Sequence, residues 1–350
     1  MEITIKQSNH LKSIAILMMI CLHLFNTLNY ENLFTPIIFI GSTPIIYYIS
    51  LFSDACVPIF AFVSGFGLYY KYQSDKNNYN LKVNLKKLYS LYKNYWIILF
   101  IFVLGIGSVL QPQEYPGDLL KFLMAFTGLT ASDYNGAAWF FTIYVLFFIF
   151  SKPIFQTLDR FPKLSFSAVL VLYFIGFYFR VYNVSNHDTA AFNWLHINLA
   201  LFSTTLFQFL LGSYSLKYKW KPYVSRIFEK VPFNTLFALL GIVLLMVAHA
   251  YVPNFIVAPL TGLGFILLFT QINLSGYFER ALDFLTPHAT NLWLTHMFFY
   301  LIFFRDFIYS SKYVIPIFLL LLACCIAASY LINFILNLKV GYRYHKKIFR

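Results

Sequence analysis

The chain has 350 residues, of which 60% are apolar, 21% are aromatic and only 11% carry a formal charge, and its mean hydropathy is +0.68. Soluble domains carry about 25% charged residues, so 26 basic and 13 acidic side chains could not keep a water-soluble surface of this size wet. This composition excludes a soluble enzyme and a disordered chain. The four cysteines lie in apolar runs and show neither a disulfide pattern nor a zinc-ligand spacing, so we expect no metal.

Apolar runs separated by short polar or basic segments follow one another along almost the whole chain. A bilayer-crossing helix needs about 20 mostly apolar residues. We predict an all-α polytopic membrane protein, with residues 1–350 as a single integral-membrane domain and ten spans at about 11–30, 44–70, 94–111, 136–156, 164–182, 197–216, 233–251, 254–273, 287–308 and 313–337. The seventh and eighth spans are divided only by Pro253 and Asn254, so a nine-span version also stays open.

The distribution of Lys and Arg predicts the orientation, because cytoplasmic loops of membrane proteins are enriched in these residues. With the N-terminus inside, 22 of the 26 basic residues fall on the inner side; the exceptions are Lys121, Arg180, Arg305 and Lys312. The even number of spans returns the C-terminus to the cytoplasm. Topology thus accounts for the net charge of +13, and nucleic-acid binding is not expected.

Lys12 and His23 lie on one face of the first predicted span. Eleven residues at 100° each return to within about 20° of the same face, roughly 16 Å further along the helix. A basic group at the cytoplasmic mouth and an imidazole near mid-depth suit a long acyl-coenzyme A, whose phosphates would meet Lys12 and whose thioester would reach His23. The alternative is a snorkelling lysine and a helix-packing histidine.

Two further ionisable residues are predicted near the same depth. Asp54 lies about 15 Å from the outer end of span 2, and His296 about 14 Å from the inner end of span 9. Ionisable side chains at membrane depth are functional candidates, and a carboxylate that accepts a hydrogen bond from an imidazole raises its basicity. Asp54 could equally be protonated and structural.

These features together resemble the acyltransferase-3 family of integral-membrane acyltransferases, which modify cell-surface sugars. The first-span motif of the family is Arg, ten residues and His, and here Lys12 stands in the place of Arg with the spacing to His23 kept. The segment 57–68, VPIFAFVSGFGL, is similar to the family's Pro-x-Phe-Phe-x-x-Ser-Gly-Phe. Residues 139–144, WFFTIY, resemble its Trp-Phe element, and residues 292–296, LWLTH, its late apolar segment ending in His.

The resemblance implies transfer of an acetyl group from cytoplasmic acetyl-CoA to a hydroxyl of a capsule, exopolysaccharide or O-antigen, or of its lipid-linked repeat unit. The expected location is a bacterial plasma membrane, with the acyl-CoA, a saccharide and the lipid bilayer as partners; whether the chain also forms a homo-oligomer stays open. His23, Asp54 and His296 are the catalytic candidates. His23 would remove the proton of the sugar hydroxyl or carry the acetyl group itself.

Further candidates for binding the donor and the acceptor have plain structural alternatives. The donor candidates are Lys12, Ser64, Gly65, Lys71, Lys86 and Lys87. Small residues also permit close helix packing, and topology already accounts for the lysines. The acceptor candidates are Trp139, Tyr144, Arg180 and Arg305; interfacial aromatic belts and snorkelling explain these equally.

A transporter or flippase of a lipid-linked saccharide is the competing function, because that class also uses many spans with a few buried charges. Transporters tend to show repeated halves, and the sequence shows no such repeat.

Overall fold

The computed structural model describes residues 2–184 and 189–348, with side chains up to residue 338. Almost all of the regular structure is helical, apart from a short hairpin in which β1 (Phe39–Ile40) pairs antiparallel with β2 (Thr43–Pro44). The α-helices in chain order are α1 Ile5–Phe25, α2 Ile45–Phe52, α3 Cys56–Ser74, α4 Leu81–Ile98, α5 Ser108–Leu110, α6 Leu119–Phe126, α7 Trp139–Arg160, α8 Pro162–Val181, α9 Ala190–Lys217, α10 Trp220–Phe228, α11 Asn234–Tyr251, α12 Ala258–Phe269, α13 Gly276–Leu285, α14 Ala289–Met297, α15 Arg305–Ile308 and α16 Val314–Ile348.

Eight helical segments of the described residues are long and apolar enough to cross a membrane, which confirms the predicted all-α polytopic fold class. They are Ile5–Phe25, Ile45–Ser74, Leu81–Leu110, Gly136–Arg160, Pro162–Val181, Ala190–Lys217, Asn234–Tyr251 and Val314–Leu338, and they overlap the first seven predicted spans and the tenth. The predicted eighth span contains the shorter helix Phe255–Phe269. Hydropathy measures the length of an apolar run but not the continuity of the helix that it forms.

The predicted ninth span is interrupted rather than short. It consists of a 3₁₀ turn, Thr286–His288, then α14, a π-helical segment, Phe298–Phe303, and α15. A second π-helical segment, Leu99–Gly107, joins α4 to α5. Backbone polar groups at membrane depth must be bonded within the protein, and a π-helical turn keeps them bonded while it shifts the side chains that follow.

The chain divides into two compact units. The first comprises Met1–Leu22, Tyr48–Asn84 and Ile143–Asp283, and α9 packs in it against α3 and α8. Glycine permits the closest approach of these helices: a Cβ at Gly65 would lie 1.8 Å from the carbonyl oxygen of Phe209, and one at Gly212 2.0 Å from that of Phe62. These two positions therefore require glycine for packing.

The start of α1 is bound to α13 within the first unit. Lys6 forms an ion pair with Glu279 at 2.5 Å, and His10 Nε2 lies 2.7 Å from Asp283 Oδ1. The Ser13 hydroxyl donates to the carbonyl oxygen of Leu282 at 2.9 Å. The beginning of α1 and residues 276–283 of α13 thus lie at the same end of this unit.

The second unit comprises His23–Tyr47, Leu85–Thr142 and Phe284–Arg350, and α14 packs in it against α16. Polar side chains fix α14 from two directions. Asn135 Nδ2 donates to the Leu294 carbonyl at 2.7 Å, and the Trp293 indole N–H donates to the Ala137 carbonyl at 2.9 Å.

Asn291 anchors α14 from its other side. Its side-chain oxygen accepts from Asn94 at 2.7 Å, and its amide donates to the Ser329 hydroxyl at 2.9 Å. Asn291 and Ser329 are fully buried. Such a bonded network holds the helix in one register, because breaking it would leave polar groups buried without partners.

The segments that follow α1 and precede α16 also contact each other in the second unit. The backbone N–H of Thr35 donates to the Lys312 carbonyl at 2.7 Å, and the Tyr309 hydroxyl donates to the Leu24 carbonyl at 3.0 Å. The end of α1 and the start of α16 therefore lie at the same end of this unit.

Candidate functional site

His23 and His296 are in direct contact within the second unit. Nδ1 of His23 lies 3.0 Å from Nε2 of His296, and the two ring centroids are 4.9 Å apart. His296 is fully buried in α14, whereas His23, near the end of α1, keeps part of its surface accessible. The structure thus brings together two of the three catalytic candidates of the sequence.

Backbone carbonyls determine which nitrogen of His296 carries the proton, and His296 in turn determines it for His23. Nδ1 of His296 lies 2.8 Å from the carbonyl oxygen of Trp293 and 3.2 Å from that of Leu292. A carbonyl oxygen can only accept, so Nδ1 of His296 is protonated and its Nε2 is the acceptor. Nδ1 of His23 must then donate to His296, and in the neutral ring Nε2 of His23 is the unprotonated nitrogen.

This arrangement suits a general base. If His23 takes up a proton at Nε2, its Nδ1–H can go on donating to His296, so the pair changes its protonation state without moving a ring. The acceptor at Nδ1 of His23 is an imidazole nitrogen, where the sequence suggested a carboxylate.

Tyr300 completes the aromatic surroundings of the pair. Its ring stacks on His296 at 5.9 Å with an interplanar angle of 8°, and on His23 at 6.0 Å with an angle of 26°. It lies in the π-helical segment Phe298–Phe303, and such segments occur frequently at functional sites. The sequence alone does not distinguish Tyr300, because one tyrosine among 27 carries no signal of its own.

Asp54 lies in the first unit, in a 3₁₀ turn, Ser53–Ala55, that interrupts its span between α2 and α3. Its side chain is half-buried, and Arg180 is the charged group that acts on it. Arg180 also stands 4.4 Å from the ring centroid of Phe255, and the neighbouring Tyr173 hydroxyl donates to the Ile256 carbonyl at 2.8 Å. Asp54 and Arg180, a catalytic and an acceptor candidate of the sequence, thus interact electrostatically beside the turn that precedes α12.

Ser64 and Gly65 lie on α3 in the first unit. The Ser64 hydroxyl donates to the Phe60 carbonyl at 2.7 Å and interacts with the Tyr144 side chain. Gly65 lies in the close contact with α9, so helix packing accounts for it without a bound donor. The structure joins the donor candidate Ser64 to the acceptor candidate Tyr144.

The remaining candidates are distributed over both units. Lys12 and Lys71 are half-buried in the first unit, and Lys86 and Lys87 are exposed on α4 in the second. Trp139 begins α7 and is half-buried, and Arg305 is exposed at the start of α15; both belong to the second unit. The positions of these six residues do not test their proposed roles in binding the donor or the acceptor, which stay predictions.

A basic pocket at the predicted cytoplasmic end of the first unit was not anticipated. It has a volume of 710 Å³ and is lined by Tyr69, Tyr70, Gln73, Ser74, Lys76, Asp159, Leu216 and Lys217. Asp159 accepts from Lys76 at 2.6 Å and from Lys217 at 3.0 Å. The hydrogen bond to Asp159 raises the pKa of Lys76 above its ordinary value. Bonds between residues so far apart in the chain leave no signal in the sequence.

The described residues contain no group of three or more His, Cys, Asp or Glu side chains that could hold a metal ion.

Comparison with known proteins decides the family. The sequence model of the acyltransferase-3 family, described as an acyltransferase domain, matches residues 5–334. The chain belongs to the acyltransferase-3 family. The match includes His23 and His296 and covers nearly all of both compact units. Searches of curated proteins and of solved structures found no match.

Membership in the acyltransferase-3 family supports acyl transfer as the general activity of this multi-pass membrane protein. The contact between His23 and His296 lies within the residues that the family model matches.

Proposed function

We propose that the protein is a membrane O-acetyltransferase that moves an acetyl group from cytoplasmic acetyl-CoA to a hydroxyl of a cell-surface polysaccharide or of its lipid-linked repeat unit. The observation that carries the proposal is the hydrogen-bonded pair in which His296 Nε2 accepts from His23 Nδ1 at 3.0 Å. This bond leaves Nε2 of His23 as the base in a family that transfers acyl groups.

The direct route has one proton carrier. The acceptor hydroxyl oxygen attacks the carbonyl carbon of the thioester while Nε2 of His23 takes the hydroxyl proton. The tetrahedral intermediate then collapses, the carbon–sulfur bond breaks, and His23 returns its proton to the leaving sulfur. The products are the acetyl ester and coenzyme A as a thiol, and both histidines end in their starting state.

A two-step route uses the same nitrogen as a nucleophile. Nε2 of His23 attacks the thioester carbon, coenzyme A leaves, and the acceptor hydroxyl then attacks the acetyl-imidazole. Acetyl label retained on the protein after acetyl-CoA is removed would distinguish this route from direct transfer.

The proposed donor orientation follows α1. Lys12 and His23 lie on this one helix, about 16 Å apart along its axis. A lysine acts on a phosphate as a point charge, and a phosphate of coenzyme A at Lys12 would direct the pantetheine arm toward His23. Lys71, Lys86 and Lys87 remain donor candidates, and Trp139, Tyr144, Arg180 and Arg305 remain acceptor candidates.

The proposal is tested by replacing the base. We expect His23→Ala to reduce O-acetyl groups on the surface polysaccharide by about 100-fold or more, since a positioned general base contributes 10²–10⁴-fold. O-acetyl content is measured by NMR on purified polysaccharide, with protein level checked by immunoblotting. His196→Ala is the matched control, because His196 is a half-buried histidine on α9 in the other unit, and we expect normal acetylation.

Two results would overturn the proposal. One is normal acetylation in His23→Ala at normal protein level. The other is accumulation of unexported lipid-linked saccharide with no specific loss of acetyl groups, which would instead indicate a flippase.

A further inference from the structure

The hydroxyl of Tyr300 is the feature of the histidine site that the mechanism above leaves unused. The ring stacks on both imidazoles, at 5.9 Å from His296 and 6.0 Å from His23. Stacking requires an aromatic ring but no hydroxyl, and the other three aromatic residues of the same π-helical segment, Phe298, Phe299 and Phe303, carry none. The hydroxyl of Tyr300 is therefore not needed for stacking.

The Tyr300 hydroxyl makes no hydrogen bond to another residue in the described part of the chain. Tyr300 is 8% exposed. Its hydroxyl oxygen is not one of the fully buried polar atoms without a partner, so this oxygen belongs to the accessible part of the side chain. A polar group near the protein interior is costly unless it is bonded. A hydroxyl that faces accessible space beside a general base can donate a hydrogen bond to a bound ligand.

We propose that the Tyr300 hydroxyl donates a hydrogen bond to the carbonyl oxygen of the acyl thioester and stabilises the negative charge that develops on it. This inference rests on the acyl transfer proposed above and adds a second catalytic residue to it. Donors aimed at the developing oxyanion supply some of the largest contributions to catalysis.

The step balances without further reactants. As the acceptor oxygen bonds to the thioester carbon, the electron pair of the C=O double bond moves to the carbonyl oxygen, and the acceptor proton moves to Nε2 of His23. Tyr300 keeps its own proton and only donates a hydrogen bond to the oxyanion. When the oxyanion collapses, the electron pair returns, the carbon–sulfur bond breaks and the proton passes from His23 to sulfur.

Tyr300 contacts both rings from the π-helical segment that follows α14. His296 and Tyr300 are four residues apart, and the transition from α14 to the π-helical segment occurs between them, after Met297. A π-helical turn changes the direction of the side chains that follow it. The nearly parallel stack with His296 keeps the tyrosine ring, and the hydroxyl oxygen in its plane, nearly parallel to the His296 imidazole.

Tyr300→Phe tests the proposal, because it removes the hydroxyl and keeps the stacked ring. We expect kcat to fall by about 100- to 1000-fold, the range for loss of one oxyanion donor, while the KM for acetyl-CoA and the protein level stay near wild type. The assay uses membrane vesicles that contain the protein, acetyl-CoA labelled in the acetyl group, and polysaccharide from the host after mild alkaline removal of its esters.

Tyr309→Phe is the matched control in the same unit. Its hydroxyl donates to the Leu24 carbonyl at 3.0 Å, a bond within the protein. We expect this variant to lose some thermal stability and to keep the kcat of the folded fraction.

The outcomes separate this inference from the proposed function. Wild-type kcat in Tyr300→Phe with an inactive His23→Ala would overturn the role of the hydroxyl and leave acyl transfer by His23 intact. An equal loss of kcat in Tyr300→Phe and Tyr309→Phe would also overturn it, since the hydroxyl would then act through structure. Full activity of His23→Ala, or no labelled ester from wild type, would overturn the proposed function itself.

Discussion

Two backbone carbonyls of α14 fix the roles of the imidazole nitrogens of His296. Because Nδ1 donates to the Trp293 and Leu292 carbonyls, at 2.8 and 3.2 Å, Nε2 has to accept from His23. His296 is fully buried, so water does not compete for this bond. It is therefore suited to hold the ring of His23 and to keep its proton on Nδ1, as a positioning residue for the base.

A pair of substitutions at His296 tests this role. We expect His296→Ala to lower kcat by about 100-fold, within the range for loss of general-base function, because the ring of His23 loses its acceptor. His296→Gln carries an amide oxygen at nearly the position of Nε2 and should retain intermediate activity. Vesicle assays with acetyl-CoA give both values, and wild-type kcat in His296→Ala, or equal losses in the two variants, would contradict the positioning role.

The sequence predicts individual site residues only where their type is unusual for their surroundings. His23 and His296 stand out as ionisable groups in apolar runs, and they prove to be partners at 3.0 Å. Tyr300 lies in the apolar run 297–304, MFFYLIFF, and cannot be distinguished there. The direction of each hydrogen bond was likewise unpredictable, since it depends on how the His296 ring is turned toward the Leu292 and Trp293 carbonyls of the preceding helical turn.

At the scale of the helices, hydropathy predicts where apolar helices lie but not which of their residues approach each other. Gly65 was open to two interpretations, donor binding and helix packing. The structure places it where an added Cβ would be 1.8 Å from the Phe209 carbonyl oxygen. That distance depends on how α3 crosses α9, which no pattern along a single helix contains.

We expect Gly65→Ala to destabilise the protein by about 1–3 kcal/mol, the usual cost of overpacking, because α3 and α9 would be forced apart. The thermal unfolding midpoint of the detergent-solubilised protein should fall accordingly. Gly67→Ala is the matched control on the same helix, since a Cβ there meets nothing within 4 Å. A normal midpoint in Gly65→Ala would show that the two helices do not pack as closely as described.

At the scale of the whole molecule, contacts inside each unit bear on the number of membrane crossings. The Lys6–Glu279 ion pair and the hydrogen bond between His10 and Asp283 place the start of α1 and α13 on one side of the membrane. Seven of the eight long helices lie between these two points, counting α1 itself, so we expect the short helix Phe255–Phe269 to supply an eighth crossing.

The remaining crossings follow from the second unit. The Thr35–Lys312 bond places the segment before α16 on the side where α1 ends. We expect the interrupted helix from Thr286 to Phe303 to cross as well, because α1 is itself one crossing. With α16 the expected number of crossings is ten, and the basic N- and C-terminal segments would then share the cytoplasmic side.

Cysteine labelling at the start of α13 tests this topology, because eight crossings made by the long helices alone would put that position outside. In a variant with Cys21, Cys56, Cys324 and Cys325 changed to Ala, we expect Gly276→Cys to react with a membrane-impermeant maleimide only after spheroplasts are permeabilised. Gly276 suits the probe because a side chain there meets nothing within 4 Å. Asn77→Cys and Glu114→Cys, both at exposed positions, serve as the inner and outer references. Labelling of Gly276→Cys in intact spheroplasts, at the rate of Glu114→Cys, would contradict ten crossings and would place α13 away from a cytoplasmic N-terminus.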